Sequence, residues 1–420
     1  MTEAIHRAKY VLAEPDLLLQ NAAVHISSSG RISHIGAWSG SPANREGEFT
    51  DWGSAAIIPG LVNAHTHLEL TSFCNQLTQF DSFTDWISRL IARRRNWTEQ
   101  QYTASAREGA GLLLASGTTL AGDITSSGVG WAATEGMSLR RLVFEEVIGL
   151  SSEQIDQVAS QLNRRLQQTE PGQLLAHGIS PHAPYSVSPG LYKRTAELAR
   201  SGGMLLATHA AETRSEIQFL QNGTGEFRDF LARIGALPGD WKPPRLHPVS
   251  YLDSLGVLGE FCLLIHCNYL DRDTLGRILN SRSSVVYCPR SHDFFGHEDH
   301  PVRELLDSGI NVALGTDSLA SNSSLSMLDE MRFLFSRRKD LKPEEIFRAA
   351  TMNGAAALGL GNVLGCLRTG YLADMAVLEL PPTLDSGQLL IRLLEGAGDC
   401  IATIVAGRVA WSKYDSGQIP

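Results

Sequence analysis

Residues 59–69 read PGLVNAHTHLE, and they directly follow the apolar run at positions 55–58. A short apolar run of this kind is typical of a buried strand. On an extended strand, residues two apart point to the same side, so His65 and His67 are expected to direct their imidazoles together. Neutral imidazole is the commonest metal ligand. The stretch therefore predicts half of a metal site at the carboxyl end of a buried strand.

Three later apolar runs end in the same kind of residue. The run at 204–208 ends in His209, the run at 262–265 ends in His266, and the run at 311–316 ends in Asp317. Glu212 follows His209 by three residues. In a parallel α/β barrel, catalytic residues sit at the carboxyl ends of several strands. Four such strand ends predict one common site at one end of a barrel.

Alternation of strand and helix patterns extends through the middle of the chain. Eight barrel strands are predicted, at Ala55–Ala64, Thr118–Asp123, Arg141–Val147, Leu174–Ser180, Met204–Thr208, Cys262–Ile265, Ser284–Tyr287 and Asn311–Thr316. Helical patterns lie between several of them, and Pro343–Leu358 reads as one long helix. This alternation favours a parallel sheet with right-handed crossovers.

The two chain ends carry strand patterns instead. Ala22–Ile35 reads as a hairpin, and Tyr371–Leu380 and Cys400–Trp411 read as further strands. The predicted fold class is α/β, with a (β/α)8 TIM barrel at 55–366 and a small β-sandwich domain made from residues 1–54 and 367–420. The proline-rich segment Asn222–Ser254 is too long for an ordinary loop, and we expect it to form part of a substrate lid or pocket wall.

Composition narrows the class of protein. A chain of 420 residues with 43% hydrophobic residues can fill a barrel of ~250 residues and a smaller domain. The net charge of -9 argues against nucleic acid or an anionic membrane as the partner. Six cysteines without CxxC spacing and no signal-peptide pattern predict a cytoplasmic protein. The expected partner is a small heterocyclic substrate, and a homodimer is compatible with the sequence.

Together, these motifs resemble the amidohydrolase superfamily. The residues that carry the resemblance are His65-Thr66-His67, His209 with Glu212, His266 and Gly315-Thr316-Asp317-Ser318. Their order is similar to the deaminase branch, with S-adenosylhomocysteine/methylthioadenosine, guanine and aminodeoxyfutalosine deaminases. The resemblance implies a metal-dependent hydrolase of carbon–nitrogen bonds other than peptide bonds. It would release ammonia from an amino-purine nucleoside or a related heterocycle.

The resemblance also implies a ligand set. His65, His67, His209 and Asp317 would bind one divalent metal ion. Three nitrogens and one carboxylate oxygen suit zinc, and iron, nickel or manganese can take the same donors. The predicted fourth strand ends in Ser-Pro-His rather than in the lysine of binuclear relatives, so we expect one metal ion.

Catalytic roles follow from the same resemblance. Asp317 would take a proton from the attacking water, and His266 would hydrogen-bond to that water or to the developing tetrahedral centre. Glu212 would shuttle protons to a ring nitrogen and then to the departing ammonia.

Four further residues are predicted substrate contacts. Ser318 follows Asp317, His182 matches a family position that contacts substrate, and Trp86 resembles the aromatic residue that covers a purine. Structural support for His182 and core packing for Trp86 are the alternatives. Arg290 directly follows Cys288-Pro289 and could hold a substrate carboxylate, which makes aminodeoxyfutalosine the leading candidate; the alternative is a structural salt bridge. The cluster at 93–95, three arginines, is typical of a solvated helix face.

Two other functions stay open at this point. The same site could hydrolyse another C–N or C–Cl bond on a ring, as guanine or pterin deaminases and triazine hydrolases do, although Glu212 counts against the triazine type. A non-catalytic metal-binding scaffold is the third reading. The complete ligand set counts against it.

Overall fold

The computed structural model describes residues 3–40, 47–167, 172, 174–384 and 386–414. The strands are β1 (Ala4–Glu14), β2 (Leu17–Ile26), β3 (Ile32–Ala37), β4 (Glu48–Asp51), β5 (Ala55–Pro59), β6 (Leu61–Thr66), β7 (Thr118–Thr125), β8 (Arg140–Val147), β9 (Leu175–Pro181), β10 (Leu205–Ala210), β11 (Cys262–His266), β12 (Ser284–Tyr287), β13 (Val312–Leu314), β14 (Met375–Glu379), β15 (Asp399–Val405) and β16 (Arg408–Ser412). The helices are α1 (Phe83–Arg94), α2 (Glu99–Ala115), α3 (Gly130–Ala133), α4 (Ile155–Gln167), α5 (Pro189–Gly202), α6 (Arg214–Asn222), α7 (Glu226–Arg233), α8 (Pro248–Ser254), α9 (Arg272–Ser281), α10 (Pro289–Phe294), α11 (Val302–Asp307), α12 (Met327–Arg337), α13 (Pro343–Ala349), α14 (Met352–Ala357) and α15 (Leu389–Leu394).

Strands β6 to β13 form a parallel barrel in chain order. The ring closes where the main-chain N–H groups of Thr316 and Asp317, just after β13, both donate to the carbonyl of His65 at 3.1 Å. Inward-facing residues such as Val62, Phe144 and Ile265 fill the barrel with a dry core. The predicted (β/α)8 barrel is confirmed.

Both chain ends build one separate sheet beside the barrel. Its order is β16-β15-β14-β5-β1-β2-β3, with β4 also paired to β1. All neighbours are antiparallel except β1 with β4 and β1 with β5. The predicted small β domain from both ends, including the hairpin of β2 and β3, is confirmed.

The prediction of a single barrel strand over Ala55–Ala64 is wrong. The chain changes sheets at Gly60: β5 belongs to the small sheet, and only β6 belongs to the barrel. A Cβ at Gly60 would lie 2.1 Å from Oγ1 of Thr119, so the close approach of the two sheets requires glycine here. The crossing carries the chain from the small sheet directly into the histidine-bearing strand.

The predicted long helix over Pro343–Leu358 is two helices, α13 and α14. The break falls at Ala350 and Thr351, where the Thr351 hydroxyl donates to the carbonyl of Phe347 at 2.6 Å. The freed carbonyl of Ala350 accepts from the N–H of Val62 in β6 at 2.8 Å. Local helix propensity therefore yields to a main-chain bond with the barrel.

Within the described residues, no helix is long and apolar enough to cross a membrane.

Candidate active site

The four predicted ligands meet at the carboxyl end of the barrel. His65 lies in β6 with His67 just beyond it, His209 lies in β10, and Asp317 follows β13. The ring of His65 lies 4.8 Å from that of His67 and 5.1 Å from that of His209, centroid to centroid. Asp317 Oδ1 lies 3.5 Å from Nε2 of His65 and 3.8 Å from Nε2 of His67. Residues far apart in sequence thus converge as the strand-end pattern predicted.

The donor atoms at this point fit a metal ion. His65 is 1% exposed, and neither of its ring nitrogens has a hydrogen-bond partner among the described residues. Buried polar atoms in folded proteins are nearly always paired, so these orphaned nitrogens indicate a missing partner. Two sets of three residues have ligand atoms within 4.8 Å of one another: His65, His209 and His266, and His65, His67 and Asp317.

Hydrogen bonds fix the orientation of the Asp317 carboxylate. Its Oδ2 accepts from the hydroxyls of Ser291 and Ser321, both at 2.7 Å, and its Oδ1 accepts from the N–H of Ser318 at 2.7 Å. Burial alone would raise the pKa of Asp317, but the neighbouring His65, His266 and His67 imidazoles outweigh it and hold that pKa well below 3.8. The acid therefore stays ionised and presents Oδ1 to the histidines. Ser291 and Ser321 were not identified from the sequence.

Burial keeps three histidines of the site neutral. It lowers the pKa of His67 to about 3 and that of His266 to about 3, and it lowers the pKa of His209 well below 6.5. The Nδ1 of His209 contacts the carbonyl of His182 at 2.9 Å, which leaves its Nε2 free for the site. Neutral imidazole is the form that binds metals.

Glu212 lies beside the histidines, beyond the end of β10. Its Oε1 is 3.4 Å from Nε2 of His266, and its main-chain carbonyl accepts from Asn268 Nδ2 at 3.0 Å. Burial raises the pKa of Glu212 well above 4.5, and the charges of Asp317 and Glu216 add to the rise. The surroundings of Glu212 therefore favour its protonated form, which can donate a proton into the site.

A cavity of about 1220 Å³ opens above these residues. His67, His209, Glu212, His266 and Asp317 line its inner end, and the predicted contacts Trp86, His182 and Ser318 line it as well. The segment 222–254 contributes α7, α8 and the loop between them to the wall, which agrees with the expected pocket wall. The structure thus brings three of the four predicted substrate contacts to the cavity.

Two of these contacts are held by local bonds. Trp86 is 8% exposed, and its Nε1 donates to the carbonyl of Ala320 at 3.3 Å. The Nδ1 of His182 lies 2.6 Å from the hydroxyl of Ser186. Burial lowers the pKa of His182 to about 4, so its ring is neutral in the cavity.

Arg290 lies elsewhere than the sequence suggested. Its guanidinium donates to the Ser323 hydroxyl at 2.5 Å and lies 3.7 Å from Asp329 at the start of α12, and Arg290 is not among the residues that line the cavity. The reason is local: α10 begins at Pro289, so Arg290 sits in the first turn of a helix and turns toward α12. A salt bridge, the alternative reading, describes its contacts.

Arg94 lies in the cavity wall, although its cluster suggested a solvated helix face. It pairs with the buried carboxylate of Glu69 at 3.0 Å and donates to the Ser126 hydroxyl at 2.5 Å. Glu69 also accepts from the Thr125 and Ser127 hydroxyls. Glu69, two residues after His67, was the sequence signal that one arginine of the cluster at 93–95 points inward.

Comparison with known proteins agrees with this geometry. Residues 56–410 match the model of the Amidohydrolase family. The chain belongs to the amidohydrolase family. It is 28% identical to 5-methylthioadenosine/S-adenosylhomocysteine deaminase from Moorella thermoacetica over 91% of this chain and 88% of that protein. It is 32% identical to aminodeoxyfutalosine deaminase from Deinococcus radiodurans, over 73% of this chain and 74% of that protein.

The fold is shared with solved structures. An adenosine deaminase from Xanthomonas campestris with bound zinc superposes with a TM-score of 0.84 at 24% identity, covering 99% of this chain and 95% of that one. The predicted assignment to this family and to hydrolases that act on carbon–nitrogen bonds is confirmed.

Proposed function

We propose that this amidohydrolase deaminates a 6-aminopurine nucleoside, releasing ammonia and leaving a 6-oxopurine. The observation that carries the proposal is the placement of the buried Glu212 carboxyl, 3.4 Å from His266, beside the converging histidines and Asp317 at the inner end of one cavity. The deaminase names of the Moorella and Deinococcus relatives support the same chemistry.

His65, His67, His209 and Asp317 would hold one divalent ion, with zinc the expected metal because three nitrogens and one oxygen suit it. When bound, such an ion supplies an activated water by lowering the pKa of that water toward neutrality. The zinc in the Xanthomonas neighbour supports this choice. The end of β9 offers no lysine, which supports one ion rather than two.

The chain's own groups move the protons. Glu212 would donate its proton to a ring nitrogen of the purine and so activate the neighbouring carbon for attack. The ionised Asp317 would accept a proton from the attacking water, and His266, 3.4 Å from Glu212, would hydrogen-bond to the developing tetrahedral centre. The Glu212 carboxylate would then take the remaining hydroxyl proton of the tetrahedral centre and deliver it to the leaving amino group, which departs as ammonia. The proton that Asp317 took from the water would restore Glu212.

Trp86, His182 and Ser318 would bind the nucleoside. Trp86 offers an aromatic face near His67 for stacking on the purine. Aminodeoxyfutalosine stays a candidate substrate because of the Deinococcus relative, and no longer because of Arg290. We further propose a cytoplasmic location, which the six free cysteines support; the homodimer stays a prediction.

A substrate panel tests the proposal. The zinc-loaded full chain is mixed in turn with adenosine, methylthioadenosine, S-adenosylhomocysteine, aminodeoxyfutalosine, guanine, a pterin and a chlorotriazine. Ammonia or chloride release is then measured against the variant Glu212→Gln. Ammonia release from at least one 6-aminopurine nucleoside, lost in the variant, is the expected result. Turnover of guanine, the pterin or the triazine alone would overturn the substrate class, and no turnover at all would favour a scaffold.

A further inference from the structure

Glu146 is an acid at the carboxyl end of β8 that the proposed reaction does not use. Earlier on the same strand, Leu142 and Phe144 pack in the barrel interior, while Glu145 faces outward and pairs with Arg165 of α4 at 3.4 Å. Because side-chain direction alternates along a strand, Glu146 continues the inward face. It lines the cavity directly above the last apolar layer.

No described residue donates a hydrogen bond to the Glu146 carboxylate or forms a salt bridge with it. Burial raises the pKa of Glu146 to about 8, the charge of Glu69 adds to the rise, and the charge of Arg94 opposes it. Glu146 is half-buried, and its carboxyl faces the cavity. A ligand that brings hydroxyl groups to this point would give the carboxyl the hydrogen-bond partners that the described residues do not supply.

Arg94 supplies the complementary group on the same part of the wall. Its Nε donates to the Tyr102 hydroxyl, and its Nη2 donates to Glu69 and Ser126, whereas Nη1 has no acceptor among the described residues. We call Arg94, Ser126 and Glu146 the distal wall. Arg94 would repel a cationic ligand group, and the Glu69 carboxylate, whose charge already raises the pKa of Glu146, would disfavour an anionic one. A neutral pair of hydroxyls suits both, since each hydroxyl can donate to the acid and accept from the guanidinium.

The distal wall lies beside the metal-ligand strands rather than among them. β8 is two strands from β6 and two from β10, which corresponds to roughly 10 Å of arc on either side. A group attached to the reacting ring would reach the wall, and the reacting carbon would not. We propose that the distal wall, and Glu146 above all, binds the 2′,3′-diol of the substrate ribose. This inference rests on the proposed nucleoside deamination.

A pairing of enzyme variants with substrate analogues tests the inference. kcat and KM are measured with zinc-loaded wild type, Glu146→Ala and the matched control Glu145→Ala, on adenosine and on 2′,3′-dideoxyadenosine. Two hydrogen bonds between the diol and Glu146, at about 1 kcal/mol each, predict that Glu146→Ala lowers kcat/KM for adenosine by about 10- to 100-fold, mainly through KM. Its effect on dideoxyadenosine should stay below about threefold. Glu145→Ala should change both substrates alike.

Wild type alone gives a second test that does not depend on the variant folding. It should prefer adenosine to dideoxyadenosine by a similar factor, about 10- to 100-fold in kcat/KM. Equal losses on both substrates in Glu146→Ala, or a wild type indifferent to the missing hydroxyls, would overturn the diol assignment and leave deamination standing. A wild type that releases ammonia from none of the 6-aminopurine nucleosides of the substrate panel would instead overturn the proposed function, and the diol assignment with it.

Discussion

The inner end of the cavity and its distal wall are built differently. At the inner end, protein groups orient two of the predicted ligands: Asp317 accepts three hydrogen bonds, and His209 is held by a main-chain carbonyl. At the distal wall, the described part of the chain supplies no donor to Glu146 and no acceptor to Nη1 of Arg94. The difference indicates that the inner end is preorganised for chemistry, whereas the distal wall leaves its polar groups for a ligand to satisfy.

The largest effect is expected at the metal ligands, and the comparison fails if these residues are dispensable for activity. We expect His65→Asn and His209→Asn to lose the metal ion and to lower kcat/KM by about 10³-fold or more, because several kcal/mol of transition-state stabilisation depends on the ion. Metal content by mass spectrometry and ammonia release are measured on the same samples. His34→Asn, an exposed histidine of the small sheet, is the matched control. A full metal complement in either ligand variant would refute the ligand assignment.

The next largest effect separates proton transfer from metal binding. Glu212→Gln should keep its metal ion and lose activity by about 10²–10⁴-fold, since the amide cannot carry the proton that the buried acid holds. Glu197→Gln on the exposed face of α5 serves as the control. Near wild-type kcat with full metal content would remove Glu212 from the mechanism, and loss of the metal would make its role structural.

The inner end was predictable from the sequence, and much of the distal wall was not. His65, His209 and Asp317 sit at the ends of strands, where an alternation of two fixes the side-chain direction and the parallel barrel fixes the meeting point. The same alternation would have placed Glu146 inside. Arg94, by contrast, reaches the wall through a helix, and its inward direction depends on the buried Glu69 of another segment.

Errors at element boundaries have the same origin. The split of the predicted first strand at Gly60 follows from the contact of the glycine with Thr119, and the helix break at Thr351 follows from a bond of Ala350 to β6. Partners distant in the chain decide both. Periodicity within one segment carries no information about such partners, which is why the elements were found and their limits were not.

A pH experiment extends the comparison to Glu330, a buried acid of α12 at the barrel edge near β12. Burial raises the pKa of Glu330 to about 8, although Asn322 and the N–H of Arg290 bond to it. The folded state therefore binds a proton that the unfolded chain releases near its ordinary pKa of about 4.3. By linkage, this residue's contribution to stability is full below that value and is lost as pH rises toward 8.

Urea unfolding from pH 4.5 to 8.5 measures that contribution. The free energy of unfolding of wild type should fall with rising pH by a few kcal/mol more than that of Glu330→Gln. The slope is the test, because the amide also changes one hydrogen bond and shifts the curve as a whole. Glu344→Gln, exposed on α13, should follow wild type. Parallel curves for wild type and Glu330→Gln would show that Glu330 does not take up a proton on folding.

The smallest expected effect is that of replacing Arg290. This replacement tests whether a cation selects the substrate at the far end of the cavity. The guanidinium contacts Ser323 and Asp329 outside the cavity, with its side chain 22% exposed. Arg290→Met should therefore cost about 1 kcal/mol of stability or less. The ratio of kcat/KM for aminodeoxyfutalosine to that for methylthioadenosine should stay within about threefold of wild type, because a bond outside the cavity cannot favour one substrate.

The control is Arg282→Met, an exposed arginine paired with Glu260. A selective loss of tenfold or more on the carboxylated nucleoside would contradict this expectation. It would mean that Arg290 of α10 turns into the cavity when substrate binds. Substrate selectivity would then come from this cation rather than from the neutral diol contact at Glu146.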